Sequence, residues 1–243
     1  MQDYLVFRLY GALASWGVEA VGEYRATAAC PTRSALLGFL AAALGIDRND
    51  LRAQEQLSDS VFFGIKQLNE TQLIRDFHTT HAPTATAKAF LPTRQAELRH
   101  RAVATILSQR DYVCEGVWHI AVWSQSATCP YTLKMIKNAL INPKYTLYLG
   151  RKSCPLGVPL SPQLVTVANL KDALDIDFPS LAVNVPRSFL SSGKSNKHHY
   201  IWEGEKAILG VDETLIITQR SRHQPNPLVA RQFIENFTFS FRS

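Results

Sequence analysis

The 243-residue sequence has only 4 cysteines, and none lies in the paired spacing of a metal or redox motif. Cys30, Cys114, Cys129 and Cys154 are widely separated, with no CxxC and no CxH pair. This spacing therefore predicts no zinc site. We also expect no other metal and no cofactor. The same spacing favours reduced thiols over a disulfide framework, as in a cytoplasmic protein.

Long hydrophobic segments are also missing. The longest apolar run, residues 35–44, is far too short to cross a bilayer. The first residues, MQDYLVFRLYG, carry an acid at position 3 and lack the extended apolar core of a signal peptide. We therefore expect neither a leader nor an anchor, no membrane partner and a cytoplasmic location.

Acidic residues are fewer than basic ones: 20 Asp and Glu stand against 26 Lys and Arg, which gives a net charge of +6. The basic residues are concentrated in residues 75–110, 144–152 and the tail from 219. A single cluster of this kind is usually a solvated face, but three clusters beside aromatic residues favour an anionic partner such as RNA or DNA.

The order of predicted elements indicates an α+β, ferredoxin-like fold. Strands are predicted over 4–10, 61–68, 72–78 and 112–123, the last with a bulge near Gly116. Helices are predicted from Thr32 or Arg33 to Leu44, closed by Gly45, and over 131–140. With one further strand, this is the βαββαβ scheme.

Two segments lie outside that scheme. Residues 79–111 lack clear periodicity over most of their length and are predicted to form a projecting arm. After Pro162 the pattern weakens to a short helix near 169–175, a polar loop at 191–198 and strands near 214–219 and 231–241. We expect a domain over 1–160 that carries the arm, and a smaller β-rich extension of the same domain over 161–243.

The start of the first helix is a candidate phosphate site. Thr32, Arg33 and Ser34 occupy its first turn, where they either form a plain cap or, with free backbone amides, hold an anion. In the loop before it, Arg25 is a candidate RNA contact, and Trp16 is either another or a core residue. Ser34, Gly38 and Ala41 or Ala42 form a small-residue stripe that would let another backbone approach closely.

The segment YTLYLGRKSCPL combines aromatic rings, a glycine turn and paired cations. Its candidate RNA-binding residues are Tyr145, Tyr148, Arg151, Lys152 and Ser153. The tyrosines either stack on bases or pack at a strand edge, and the cations either contact phosphate or lie in a solvated turn. The upstream spacing of a P-loop is absent, which argues against nucleotide hydrolysis.

The arm supplies a third set of candidates, Arg94, Arg99, His100 and Arg101. Each is a surface charge by default. An arm that inserts between nucleotides, however, needs cations to neutralise the phosphates beside it.

Four segments in this order and spacing resemble the CasD-type subunit of the type I-E CRISPR Cascade complex: YLVFRLYGALASWG, PTRSALLGFLAAALGI, RDFHT at 75–79, and YLGRKSCPL. The match runs from residue 4 to about 160 and thins in the C-terminal third. The resemblance implies a ferredoxin-like, RRM-related fold of the RAMP superfamily with a β-hairpin thumb.

The resemblance also implies a function and partners. Such a subunit caps the repeat-derived 5′ handle of the crRNA, contacts the first backbone subunit and lies near the large subunit that reads the PAM. Its contact with target DNA is indirect. A separate subunit cuts the precursor RNA, so we expect a non-catalytic protein.

Two other interpretations remain open. Metal-independent ribonucleases work with a base and an acid drawn from His, Lys and Tyr, and the run from Lys197 to Tyr200 supplies these residue types within a polar loop. That run would make the chain an endoribonuclease that processes precursor crRNA. A purely structural bridge between subunits is the third interpretation, although it leaves the basic clusters unexplained.

Overall fold

The computed structural model of the protein describes residues 1–20, 22–83, 92–99, 103–124, 130–179, 198–212, 217–223 and 234–242. Its strands are β1 Gln2–Tyr10, β2 Leu13–Ala14, β3 Trp16–Gly17, β4 Tyr24–Arg25, β5 Thr27–Ala28, β6 Val61–Gln67, β7 Gln72–Pro83, β8 Val103–Cys114, β9 Val117–Ser124, β10 Gln163–Val167, β11 His199–Trp202, β12 Ile217–His223 and β13 Ile234–Arg242. Its helices are α1 Arg33–Leu44, α2 Leu51–Ser60, α3 Arg94–Arg99, α4 Leu133–Ile141 and α5 Leu170–Leu174, with a 3₁₀ turn at Lys206–Leu209.

The main sheet has a ferredoxin-like centre. Its strands lie in the order β10-β1-β9-β6, with every neighbouring pair antiparallel. Helix α1 lies between β1 and β6 in the chain, and α4 between β9 and β10, which is the βαββαβ path. The predicted α+β, ferredoxin-like fold is thus confirmed. The sheet then continues from β6 through β11, β13 and β12, so the domain boundary proposed near residue 160 has strands of one sheet on both sides.

The two helices of this scheme begin at threonine caps. Thr32 Oγ1 accepts a hydrogen bond from the Ala35 amide at 3.3 Å, and Thr132 Oγ1 accepts one from the Met135 amide at 3.2 Å. Gly45 ends α1 as predicted. Both helices pack on one face of the sheet, where the alternate β1 residues Leu5, Phe7 and Leu9 are fully buried.

Strands β7 and β8 form a long antiparallel ribbon, called the thumb below. Its register runs from Gln72 opposite Cys114 to Pro83 opposite Val103. Most of β7 is exposed on both faces, so its sequence has no hydrophobic alternation to reveal the strand. The aperiodic arm predicted from 79 onward is therefore partly wrong, because strand structure continues to Pro83, resumes at Val103 and is joined by α3.

The prediction of one bulged strand over 112–123 is wrong. Strand β8 ends at Cys114 in the thumb, and β9 begins at Val117 in the centre of the main sheet. Between them Glu115 has a φ of 52°, a left-handed conformation that non-glycine residues rarely adopt. The chain uses this turn to pass from one sheet to the other.

Three elements have too weak a sequence pattern to be predicted. Helix α2 buries only Leu57 and Ser60, so it lacks a hydrophobic face. Strands β10 and β11 are only 5 and 4 residues long. Their positions are set by pairing with β1 and with β6, which a local pattern does not contain.

The other face of the main sheet is covered by α5 and the 3₁₀ turn. Leu170, Leu174 and Leu209 are fully buried there. Beyond this apolar cluster the same face carries a buried polar group: Arg8, Lys66 and His119 are only 6%, 8% and 6% exposed. Lys66 Nζ lies 2.7 Å from Asp175 Oδ1, and His119 Nδ1 donates to the Leu174 carbonyl at 3.0 Å.

Stability is expected to fall between about pH 6.5 and pH 4. Burial, the largest cause, lowers the pKa of His119 from 6.5 to about 4, and nearby Lys66 and Arg8 act in the same direction. In this range the unfolded chain binds a proton at His119 that the folded chain does not bind. Stability is therefore complete above pH 6.5 and has lost about 3 kcal/mol at pH 4.

Urea unfolding at a series of pH values measures this loss. The His119→Gln variant should show a shallower decline, but not a flat one, because burial also lowers the pKa of His198. Asp175, whose pKa is lowered to about 2, adds its own loss only below pH 4. An identical slope in wild type and variant would contradict the prediction.

Candidate nucleic-acid interface

The N-terminus of α1 opens onto the surface. Ser34 is exposed, and its hydroxyl oxygen lies 3.2 Å from that of Thr32. The Ala35 and Leu36 amides donate to Thr32, whereas the amides of Arg33 and Ser34 precede the first helical hydrogen bond. The first turn contains no acidic residue. This end of the helix is therefore favourable for an anion.

The small-residue stripe of α1 borders an open groove of about 330 Å³. Ser34, Gly38 and Ala42 line one side of it. A Cβ added to Gly38 would meet no atom within 4 Å, so the predicted close approach of another backbone is wrong. The groove is also lined by Thr146, Tyr148 and other residues of the glycine-turn segment, which leaves an open channel beside the helix.

The turn at Gly150 is held tightly against the loop after β1. Gly150 has a φ of 86°, and the Ser15 amide donates to the Leu149 carbonyl at 3.0 Å. The Leu149 amide donates to the Cys154 carbonyl at 2.8 Å, which closes the turn. The turn therefore has a fixed position relative to the groove.

The two tyrosines of this segment differ in exposure. Tyr145 is 48% exposed, whereas Tyr148 is half-buried and lines the groove. The segment is not a regular strand, because Tyr148 forms only an isolated bridge with Pro155. Both rings remain candidates for contact with a base, Tyr145 from the outer surface and Tyr148 from within the groove.

The cations after Gly150 point in different directions. The Arg151 guanidinium lies over the Tyr112 ring at 4.8 Å and is 3.4 Å from the Asp111 carbonyl oxygen and 3.3 Å from that of Arg25. It therefore joins the turn to the base of the thumb. Lys152 and Ser153 are exposed on the outer side of the turn.

A buried carboxylate anchors the thumb at its base. Asp111, 2% exposed, accepts a hydrogen bond from Arg75 Nε at 2.9 Å and another from the Tyr24 hydroxyl. The Arg75 guanidinium also lies over the Tyr24 ring at 4.6 Å. The hydrogen bond from Arg75 is the largest of the causes that hold the pKa of Asp111 below its usual value. This network ties β4 to the thumb.

None of these three residues is among the site residues predicted from the sequence. Arg75 lies within RDFHT and Asp111 ends a basic stretch, so both had a visible signal. Tyr24 had none, because its role depends on the pairing of β4 with β8.

Two of the predicted RNA contacts are corrected by their burial. Trp16 is 1% exposed and packs edge-on against Trp118 at 5.3 Å, so its ring is a core residue and does not face a ligand. The Arg33 guanidinium points inward, where it pairs with Glu203 and donates to the Ser58 carbonyl at 2.7 Å. Of Arg33, only the backbone amide remains at the site.

The other predicted cations lie along the thumb side of the molecule. Arg25 is exposed and donates to the Gly22 carbonyl at 2.7 Å. Arg94 and Arg99 are the ends of α3, and Arg94 pairs with Glu97 at 2.7 Å, so its charge is partly neutralised. His100 and Arg101 lie outside the described residues.

His199 and Tyr200 do not lie in the polar loop predicted for the run from Lys197 to Tyr200. Residues from His199 onward belong to β11, which lies between β6 and β13. Tyr200 is 1% exposed, and its hydroxyl donates to Asp175 Oδ1 at 2.7 Å. Lys197 lies outside the described residues. The tyrosine is therefore inaccessible to an RNA substrate in this arrangement.

Across the described ranges, no group of three or more His, Cys, Asp or Glu side chains is arranged to hold a metal ion. Among the helices that the structure describes, none has the length and apolar character needed to cross a membrane. Among the described residues, Cys30, Cys114 and Cys154 are free thiols.

Comparison with known proteins gives consistent matches. The sequence model of the family described as "CRISPR-associated protein (Cas_Cas5)" matches residues 4–237. The CRISPR system Cascade subunit CasD of Escherichia coli (strain K12) is 35% identical over 169 residues, which is 66% of this chain and 70% of that protein.

Two solved structures share the fold. A chain of a CRISPR RNA-guided surveillance complex superposes with a TM-score of 0.63 at 23% identity, over 99% of this chain and 90% of that one. A structure described as a Cas protein superposes with a TM-score of 0.55 at 21% identity, over 98% and 94% of the two chains.

Proposed function

Because this chain belongs to the CRISPR-associated Cas5 family and is of the CasD type, we propose that it is a non-catalytic crRNA-binding subunit of a Cascade surveillance complex. In this proposal it caps the repeat-derived 5′ handle of the crRNA. It contacts the neighbouring backbone subunit and the PAM-reading large subunit in the cytoplasm, and it reaches target DNA only indirectly.

The observation that carries the proposal is the convergence of all four family-like segments at one place. The Ser15 amide donates to the Leu149 carbonyl, Arg151 reaches the carbonyl of Asp111, and Arg75 binds the Asp111 side chain. The groove beside α1 opens between the first and the last of these segments. The groove is lined by hydroxyls and aromatic rings, and the exposed Lys152 lies on the turn next to it. Together with backbone amides, these are the groups that bind single-stranded RNA.

The thumb suits a role in contact with the partner molecules. Its exposed large apolar side chains are Leu73, Ile74, Phe77, Val103, Ile106 and Leu107. A two-stranded ribbon with apolar residues exposed on both faces gains stability when it is covered. We propose that the thumb separates the handle from the guide segment and packs on the neighbouring backbone subunit.

The first experiment distinguishes binding from cleavage. The purified full chain is incubated with labelled precursor repeat RNA in EDTA, and native and denaturing gels are run side by side. A shifted band with intact RNA is the expected result. A discrete cut within the repeat would overturn the non-catalytic proposal and favour a metal-independent ribonuclease.

We expect Lys152→Glu to weaken handle binding about tenfold at physiological salt and to reduce the salt dependence by about one phosphate contact. Lys152 is exposed on the turn, so its reversal should leave the fold intact. Lys134→Glu, on the exposed surface of α4, is the matched control because it makes the same change in net charge. Equal losses in both variants, measured by filter binding, would place the handle elsewhere.

A further inference from the structure

A second cavity, of about 310 Å³, lies on the sheet face opposite α1 and α4. Its walls include Arg8 from β1, Lys66 from β6, His119 from β9, and Phe178 and Pro179 from the segment after α5. Because successive residues of a strand face opposite sides, Arg8 points away from the groove described above, which is on the side of Phe7 and Leu9. The cavity is therefore separate from the candidate nucleic-acid interface.

Arg8 is a buried cation without a counter-charge. It is 6% exposed, its Nη1 donates to the Pro179 carbonyl at 2.7 Å, and its guanidinium lies 5.6 Å from the Phe178 ring centre. Within the described part of the chain no carboxylate lies within ion-pair distance of it, and its Nε has no acceptor. Burial lowers its pKa. Buried charges in folded proteins are normally paired, so this one is unusual.

The nearby carboxylates are already occupied or exposed. Asp175 lies 2.7 Å from Lys66 and 2.5 Å from Lys171 and also accepts the Tyr200 hydroxyl. Asp177 lines the cavity but is exposed. The chain that follows Pro179, residues 180–197, contains no Asp or Glu in its sequence. Two cations, Arg8 and Lys66, and two carboxylates, Asp175 and Asp177, thus line the cavity, and Asp175 is already paired with Lys66.

We propose that this cavity is an oxyanion site that takes a phosphate group, with Arg8 as its principal ligand. The Nε and Nη2 donors share the edge of the guanidinium opposite the bond to Pro179, and two parallel N–H groups match two oxygens of a phosphate. Lys66 adds positive potential, and the rings of Phe178 and His119, 4.4 Å apart, form an apolar wall. The proposal does not depend on handle binding at α1.

Thermal unfolding with inorganic phosphate tests the site, at constant ionic strength and pH 7.5. A tenfold excess of phosphate over its Kd should raise the Tm of the full chain by about 3 °C. Arg8→Met should remove this rise while leaving the phosphate-free Tm equal or higher, because it also removes an unpaired buried charge. Arg52→Met, an exposed position on α2, is the control and should behave as wild type.

Each contrary result overturns the proposal in a distinct way. An equal rise in all three proteins would indicate a general salt effect, and an equal response to acetate would indicate a carboxylate site. If Arg8→Met does not fold, wild-type protein is titrated with phosphate and followed by NMR instead. An Arg8 Nε–H resonance that does not shift would show that phosphate does not bind there. If a repeat RNA displaces phosphate from the cavity, the phosphate group that the cavity binds belongs to the RNA backbone. If RNA and phosphate bind at the same time, the ligand is a free nucleotide or inorganic phosphate.

Discussion

Gly150→Ala is expected to destabilise the protein by about 3–5 kcal/mol, a large part of the stability of a typical domain. A Cβ at this position would lie 1.9 Å from the carbonyl oxygen of Ser15, which is a backbone atom and not a flexible side chain. Ser15 itself donates to the Leu149 carbonyl at 3.0 Å, so the loop and the turn cannot separate without losing that bond. We expect the Tm to fall by roughly 10 °C or more.

Substitutions at two other glycines distinguish backbone strain from steric overlap as the cause of the lost stability. Gly22 has a φ of 73° but open space around its Cβ position, so Gly22→Ala should cost only the backbone strain, about 1 kcal/mol. Gly38 lies within α1 with open space and no positive φ, so Gly38→Ala should stabilise by about 0.5–1 kcal/mol. Calorimetry of the three variants measures their Tm values and so ranks their stabilities. A Gly150→Ala loss no larger than that of Gly22→Ala would show that the close contact with Ser15 is not rigid.

The part of the fold that could be predicted is the part that local sequence encodes. Thr32 and Gly45 mark both ends of α1 by capping chemistry, and the segment between them is apolar on nearly every side, as expected of a buried helix. The thumb could not be recognised as a ribbon beyond His78, because its stability comes from cross-strand pairing between 72–83 and 103–114 and not from a buried face. Glu115 turns the chain in a conformation that its residue type does not signal.

The candidate site, like the fold, has a part that local sequence predicts and a part that it does not. The exposed residues Lys152 and Ser34 lie where their segments indicated, on the glycine turn and at the start of α1. The direction of a side chain depends instead on partners distant in the sequence. Arg151 turns toward Asp111, 40 residues away, and Arg33 toward Glu203, 170 residues away. A cation near the start of a helix can therefore either bind an external anion or form a buried ion pair, and only the packed structure distinguishes these two roles.

Removing one partner of the Arg33–Glu203 pair is expected to destabilise the protein by about 3–5 kcal/mol. Arg33 is 13% and Glu203 11% exposed in their side chains, and the guanidinium also donates to the Ser58 carbonyl at 2.7 Å. Burial raises the pKa of Glu203 despite the opposing charge of Arg33, so the carboxylate remains costly to hold in this position. Glu203→Leu would leave the guanidinium unpaired, and Arg33→Met would leave the carboxylate unpaired.

The double variant Arg33→Met with Glu203→Leu distinguishes a structural pair from an RNA ligand. Because the double variant leaves no unpaired buried charge, it should be more stable than either single variant, but it should remain about 1–3 kcal/mol below wild type because the buried Phe63 amide loses its acceptor on Glu203. Denaturant unfolding of wild type, the two single variants and the double variant measures the four free energies of unfolding that this comparison needs. Handle binding by the double variant should equal that of wild type, since the Arg33 guanidinium is turned toward Glu203 and Ser58. A stable double variant that binds the handle tenfold more weakly would instead return the Arg33 side chain to the RNA interface.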